Sequence, residues 1–310
     1  MLGGIGLTIA TRPPAFEHLF PFDVSASPTF RPDPAYAYPY SPRTVPNWAA
    51  AVLAVGAPIL VVVAAHRAAH LFRYYHSRCQ HRRHQRRRSS FFWDAHAAIL
   101  GVLTAVLAAS VCQATLKWSV GGLRPHFYDR CRPDRGLALA IAAAAAGQKR
   151  DGGPGGRGYG GIMHTTAICG NPSADAAALR DAVTGFPSGH AASTFAGLGF
   201  LALWFNAKVK VLRPARLGPC SAGCFAVILL LLPLLAATGI CASLLADRSH
   251  HATDLVAGAL VGVVCALVAY RARYAALWDP ACNHVPLSYL DTYRYGSDER
   301  WEGLAFVDVG

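Results

Sequence analysis

Charge is the scarcest ingredient of this sequence. Asp, Glu, Lys and Arg make up 15% of its 310 residues, against about 25% in an average soluble domain. Carboxylates are rarer still, with 17 acids against 29 Lys and Arg. No stretch gathers acids into a cluster suited to Mg²⁺, and the cysteine spacings suggest no zinc site. No metal and no cofactor is therefore expected. No internal repeat is present. The opening "MLGGIGLTIA" lacks the basic flank and cleavage site of a signal peptide and is too short to span a bilayer. It is expected to be the far end of a truncated spanning helix, with a short interfacial stub as the alternative. Nine cysteines do not make a disulfide framework in a chain of this size.

What the sequence has is apolar residues, 53% of the total, gathered in blocks. Residues 48–72, 91–116, 191–205, 224–246 and 255–274 are each near or above the roughly 20 residues a helix needs to cross a bilayer. The third block is short unless its helix begins back at Ser188. The expected fold is all-α, a polytopic transmembrane helical bundle. Cys112, Cys224, Cys241 and Cys265 fall in these blocks, where they act as small apolar residues.

The net charge of +12 does not imply a nucleic-acid partner here, because the basic residues sit between spans. Residues 73–88 hold seven Arg and no acid, and 206–217 hold four basic residues and no acid. Both read as cytosolic loops anchored on the bilayer. The loop 126–185, with seven Lys and Arg against five Asp, faces the other side. Alternation then divides the chain into an extracytoplasmic segment at 1–47, a membrane-embedded domain at 48–274 and a cytosolic tail at 275–310. Within the outer loop, 137–146 reads as a short helix and 147–161 as a flexible linker. Cys131 and Cys169 lie together in that loop, on the oxidising side, and are a disulfide candidate.

Three polar stretches sit at span ends, and the topology puts all three on the outer face. They are "KWSVGGLRPHFYD" (117–129), "GFPSGHAAS" (185–193) and "LLADRSHHATDLVAG" (244–258). A Lys or Arg at a helix end is usually a snorkelling anchor, and Pro-Ser before an apolar run is an ordinary helix start. Together they gather Lys117, Arg124, Arg248, His190, His250, His251 and Asp254 beside a helix N-terminus, whose amides favour anions. Cations, oriented amides and imidazole suit a phosphoryl group. His250 and Asp254, four apart, share a face if helical, so that Asp can orient the ring as in a catalytic triad. His190 is positioned to protonate the leaving oxygen. His251 is adjacent to His250, and spacing alone does not choose between them.

These residues resemble the type 2 phosphatidic acid phosphatases, or lipid phosphate phosphatases. The family's Lys, six residues, Arg-Pro is matched by Lys117 to Arg124-Pro125, and its Pro-Ser-Gly-His by Pro187 to His190. Its Ser-Arg, five residues, His, three residues, Asp is matched by Ser243, His250 and Asp254. The contexts "LRPHFYD" and "FPSGHAASTFAGLGFL" look like the lipid branch of fungi and animals. The resemblance implies a six-helix core, here with its first helix truncated, and metal-independent hydrolysis of a lipid phosphate through a phosphohistidine. By position His250 is the nucleophile, Asp254 its orienter and His190 the general acid and base. Lys117, Arg124, Ser188 and Gly189 hold the phosphoryl oxygens.

Two departures stand out. The Arg of the third motif is Leu244, and the family's usual Tyr is Arg248. Either Arg248 supplies the missing cation from the next turn, with position 244 facing the phosphate, or catalysis is weakened. A charge-assisted hydrogen bond contributes about 1.5–3 kcal/mol, so its loss slows turnover roughly 10- to 150-fold. Phosphatidic acid, lysophosphatidic acid and diacylglycerol pyrophosphate are the expected substrates. The alternatives are a catalytically impaired relative that binds lipid phosphates and a phosphatase for prenyl or soluble phosphates.

Overall fold

The computed structural model describes residues 17–23, 32–76, 83–145, 162–171, 176–212, 224–280 and 282–287. Helix α1 runs from Asn47–Ala51 through a π-helical segment, Val52–Gly56, into Ala57–His76. It is followed by α2 (Arg83–Ser119), the short helices α3 (Phe127–Cys131), α4 (Arg135–Ala145) and α5 (Ala176–Ala182), and then α6 (Gly189–Val209), α7 (Cys224–Ala246) and α8 (Ala252–Arg271). Among the described residues, four segments are long and apolar enough to cross a membrane: Asn47–Ala69, Phe92–Ser119, Cys224–Ala246 and Ala252–Arg271. The chain is a helical, multi-pass membrane bundle.

Helix α6 is the central post, in contact with α1, α2, α7 and α8. Its composition follows from that position. Ala191, Ala192, Ala196, Phe200 and Trp204 are buried in protein, so α6 is shielded from lipid by its neighbours. Small residues set the closest approach. A Cβ at Gly258 or Gly262 of α8 would run into the backbone carbonyls of Ser188 and Ala192 on α6, so only glycine lets these two helices touch there. Gly197 does the same toward Ala54 in the π segment of α1.

At the end of the bundle away from the motifs, Asp94 is buried and accepts from His66 Nε2 at 2.9 Å, Lys208 Nζ at 2.7 Å and Tyr274 Oη at 3.0 Å. This clamp joins α1, α2, α6 and the turn after α8. A buried carboxylate is tolerable when its oxygens are filled by donors and cations in this way.

One expectation is corrected. Residues 73–88 are not simply a loop, because α1 extends to His76 and α2 begins at Arg83; Arg and Gln are good helix formers and carry both helices beyond their apolar spans. The bundle also carries a small two-stranded antiparallel ribbon, β1 (Phe20–Pro21) with β2 (Met163–His164). Two-residue strands from distant segments leave no alternating pattern to read. Phe20 packs edge-on against Phe127 and Tyr128 in a second apolar cluster with Ile168 and Val183. Cys131 and Cys169 are bonded beside it, Cα to Cα 4.6 Å. The short helix expected at 137–146 is α4. The opening helix at 1–10, the linker at 147–161 and the tail from 288 lie outside the described residues.

Candidate active site

The three polar stretches converge at one end of the bundle. Gly121 and Gly122 have φ of +62° and +147°, values that disfavour a side chain, and they turn the chain after α2 so that it runs beside 182–185. There Gly122 N–H donates to Val183 O at 2.9 Å and Arg124 N–H to Ala182 O at 2.9 Å. Ser188 caps α6, its Oγ accepting from Ala191 N–H at 3.5 Å. The Ser188 N–H donates to Asp254 O at 3.0 Å, which ties the second stretch to the third.

His250 does not lie on the helix. It is the residue before the N-cap, His251, and it meets Asp254 because this first-turn carboxylate curls back over the helix start. Asp254 Oδ2 accepts from His251 N–H at 3.0 Å and stands 3.5 Å from His250 Nδ1. The second distance is longer than a good hydrogen bond. The other ring nitrogen, Nε2, faces Arg124 Nη1 at 3.4 Å. His250 is buried, and burial pushes its imidazole below the ordinary range; Asp254 opposes this while Arg124 and Lys117 reinforce it. The ring is therefore neutral near pH 7, with a lone pair on one of its nitrogens.

Arg124 is itself buried. Its Nε donates to Asp181 O at 2.7 Å, Nη1 to Ser249 O at 3.1 Å and Nη2 to Asp181 Oδ1 at 2.8 Å. Burial lowers its guanidinium to about 10, with the Asp181 carboxylate opposing, so it stays charged. Asp181 has its carboxyl held below the usual range. Burial alone would raise it, but the charges of Arg124, Arg43 and Lys117 outweigh that effect. Lys117 thus belongs to the same cluster. His190 Nε2 is 3.1 Å from Val45 O, and Gly189 opens toward the amide of Gln113, whose Oε1 is buried without a hydrogen bond.

Not every residue singled out from sequence lies in this cluster. Arg248, in the left-handed conformation with φ of +54°, closes the end of α7 and stacks its exposed guanidinium on Tyr38, 4.6 Å from the ring centroid. Leu244 is fully buried against Ala191, Leu255 and Cys241, so the expectation that its side chain faces the phosphate gives way to apolar packing. His251 turns its ring to Tyr36. Sequence reasoning missed Asp181 and Arg43, whose side chains meet 138 residues apart in the chain; neither sits in a motif, and no local signal marks them. His126, which the motif context contained but no role was given, donates from Nδ1 to Arg248 O at 3.2 Å.

Residues 98–278 match the PAP2 superfamily. The chain is 33% identical over 237 residues to "Lipid phosphate phosphatase 1" of Arabidopsis thaliana, covering 76% of this chain and 57% of that protein. It is 30% identical over 192 residues to "Probable diacylglycerol pyrophosphate phosphatase 1" of Schizosaccharomyces pombe, covering 62% and 58%. It is 29% identical over 185 residues to "Diacylglycerol pyrophosphate phosphatase 1" of Saccharomyces cerevisiae, covering 60% and 54%. The chain thus spans little more than half of these relatives. No solved structure matches it significantly. With more than half of its length matched and the three motifs drawn together at one end of the bundle, the chain belongs to the PAP2 superfamily.

Proposed function

We propose that the protein is an integral membrane phosphatase of lipid phosphates, acting on phosphatidic acid and relatives such as lysophosphatidic acid or diacylglycerol pyrophosphate. The observation that carries the reading is the placement of His250. Its Nδ1 is turned to Asp254 and its Nε2 to the Arg124 guanidinium. In the first step a bond forms from His250 Nε2 to phosphorus while the bond from phosphorus to the lipid oxygen breaks. His190 gives the leaving oxygen its proton, and Asp254 stabilises the ring as it becomes charged. In the second step His190 takes a proton from water, whose oxygen bonds to phosphorus as the bond to His250 breaks.

Lys117, Arg124 and the amides near Ser188 and Gly189 carry the phosphoryl charge, so no metal is required by this route. Among the described residues no three His, Cys, Asp or Glu gather in a metal-ligating arrangement. The site lies at a span end, at headgroup depth, which favours lipid over soluble phosphates. The positive-inside rule puts it on the extracytoplasmic face. A second reading, a lipid-phosphate binder without turnover, rests on Leu244 in place of the family's arginine.

The test is phosphate release by the purified full chain in mixed micelles with EDTA, across phosphatidic acid, lysophosphatidic acid, diacylglycerol pyrophosphate and a prenyl phosphate. Turnover in EDTA, blocked by vanadate and accompanied by an acid-labile phosphoenzyme, is expected. Strict dependence on a divalent cation overturns the mechanism, and lipid binding without release favours the second reading.

A further inference from the structure

The third motif lacks its guanidinium, and the expected substitute, Arg248, is not in place. Leu244 is buried among apolar side chains, and Arg248 lies on Tyr38. A different arginine stands beside Arg124. Residues 33–46 form a strap beside the site, pinned to all three motif regions. Tyr38 N–H donates to Pro125 O at 3.1 Å, Tyr40 N–H to Asp129 Oδ2 at 2.9 Å, and Thr44 N–H and Oγ1 to the two oxygens of Asp247, each at 2.7 Å. Val45 O is the partner of His190 Nε2. Between these pins, Arg43 Nη2 reaches Asp181 at 2.8 and 3.1 Å, and Nη1 reaches Asn47 Oδ1 at 3.1 Å.

Asp181 therefore bridges two guanidiniums, Arg43 and Arg124. Paired guanidiniums converging on one oxyanion are the arrangement that binds phosphate bidentately. The three groups differ in freedom to move. Arg124 is 2% exposed, Arg43 22% and Asp181 44%, so the carboxylate is the member that can swing into solvent while the cations remain. The charges point the same way. Lys117, Arg124 and Arg43 set against Asp181 and Asp254 leave one net positive charge, and departure of Asp181 leaves two, which matches a phosphate dianion.

We propose that Arg43 is a phosphate-binding residue of this site, supplying the guanidinium absent at position 244, and that Asp181 holds the two arginines in place until the phosphoryl group exchanges with it. The proposal rests on the phosphatase reading above. It also accounts for the strap: its anchors fix the backbone on both sides of Arg43, and the carbonyl two residues on touches His190. The bland alternative is that Arg43 only fastens the strap through Asp181.

The experiment compares Arg43→Ala, Arg43→Lys, Asp181→Asn and the double variant Arg43→Ala/Asp181→Asn in the full chain in detergent. Two readouts are used: kcat/KM on phosphatidic acid, and vanadate affinity measured by thermal protection, which does not need turnover. Arg43→Ala is expected to weaken vanadate binding and lower kcat/KM by about tenfold or more, the scale of a lost charge-assisted hydrogen bond. Arg43→Lys keeps the charge without the fork and falls between. Asp181→Asn removes the competing carboxylate, so vanadate binds as well as in the wild type or more tightly. A simple fastener predicts instead that Asp181→Asn loses as much as Arg43→Ala, with the double variant no worse than either, and that result overturns the proposal. So does unchanged vanadate affinity in Arg43→Ala when the wild type binds vanadate and releases phosphate. A wild type that neither binds vanadate nor releases phosphate overturns the phosphatase reading together with this one.

Discussion

Replacing Asp254 with Asn separates its two tasks. The carboxylate accepts from His251 N–H at 3.0 Å, which starts α8, and it faces His250 Nδ1 at 3.5 Å, which orients the ring. Asn offers an amide oxygen for the first task, and losing the negative charge in the first turn costs about 0.3–1 kcal/mol, so most of the cap is kept. Asn has no negative charge for the second. In the proposed mechanism the His250 ring becomes cationic as it bonds to phosphorus, and the lost partner is a hydrogen bond between charged groups, about 1.5–3 kcal/mol in the transition state. That corresponds to a roughly 10- to 150-fold fall in kcat, with little change in Tm. Asp254→Ala removes both partners and is expected to lose stability as well as activity. The assay is phosphate release from phosphatidic acid in mixed micelles at saturating substrate, alongside melting curves of the same samples. Turnover of Asp254→Asn within twofold of the wild type refutes the orienting role. A loss of activity matched by a large drop in Tm refutes the separation of tasks.

His250→Ala is expected to abolish turnover and the phosphoenzyme, whereas His251→Ala retains most of both; the reverse outcome shifts the nucleophile by one residue. Burial keeps His250 neutral in the folded state, below its ordinary value near 6.5. As pH falls through about 6.5 the unfolded chain takes up a proton that the folded chain does not, so stability drops on the acid side. The acid limb of kcat/KM lies below 6.5, and melting curves against pH should lose part of their acid slope in His250→Gln; an acid limb above 6.5 contradicts this. For topology, a tag placed within 77–82 should be reached only after the membrane is opened, and one at 150–160 from outside in cells displaying the protein on their surface. Labelling of both from one side refutes the extracytoplasmic site.

Hydrophobic blocks and three short motifs were enough to read a helical membrane bundle and to name Lys117, Arg124, His190, His250 and Asp254, because these signals are local. Block lengths report spans, and motif spacing survives without knowledge of packing. The pairing of His250 with Asp254 was legible, but its cause was not a shared helical face. It comes from a carboxylate in the first turn folding back on the helix start, a geometry that depends on where α8 begins. The glycines of α8 gave no sign of their purpose until the carbonyls of α6 appeared against them.

Contacts between segments far apart in the chain were beyond the sequence. Asp181 joins Arg124 and Arg43 across 57 and 138 residues, and Asp94 gathers donors from three elements. An isolated charge carries no record of its partner, since the pairing is imposed by the packing of helices between them. Leu244 and Arg248 show the same limit from the other side. The family resemblance marked both as departures, but only the chain's path at the end of α7, turned by a left-handed residue, decided that one is enclosed in apolar contacts and the other laid on Tyr38. The sequence by itself determined which chemical groups the protein owns and at which span ends they emerge; the tertiary structure decided which of them meet, because distances between separated segments are set by packing.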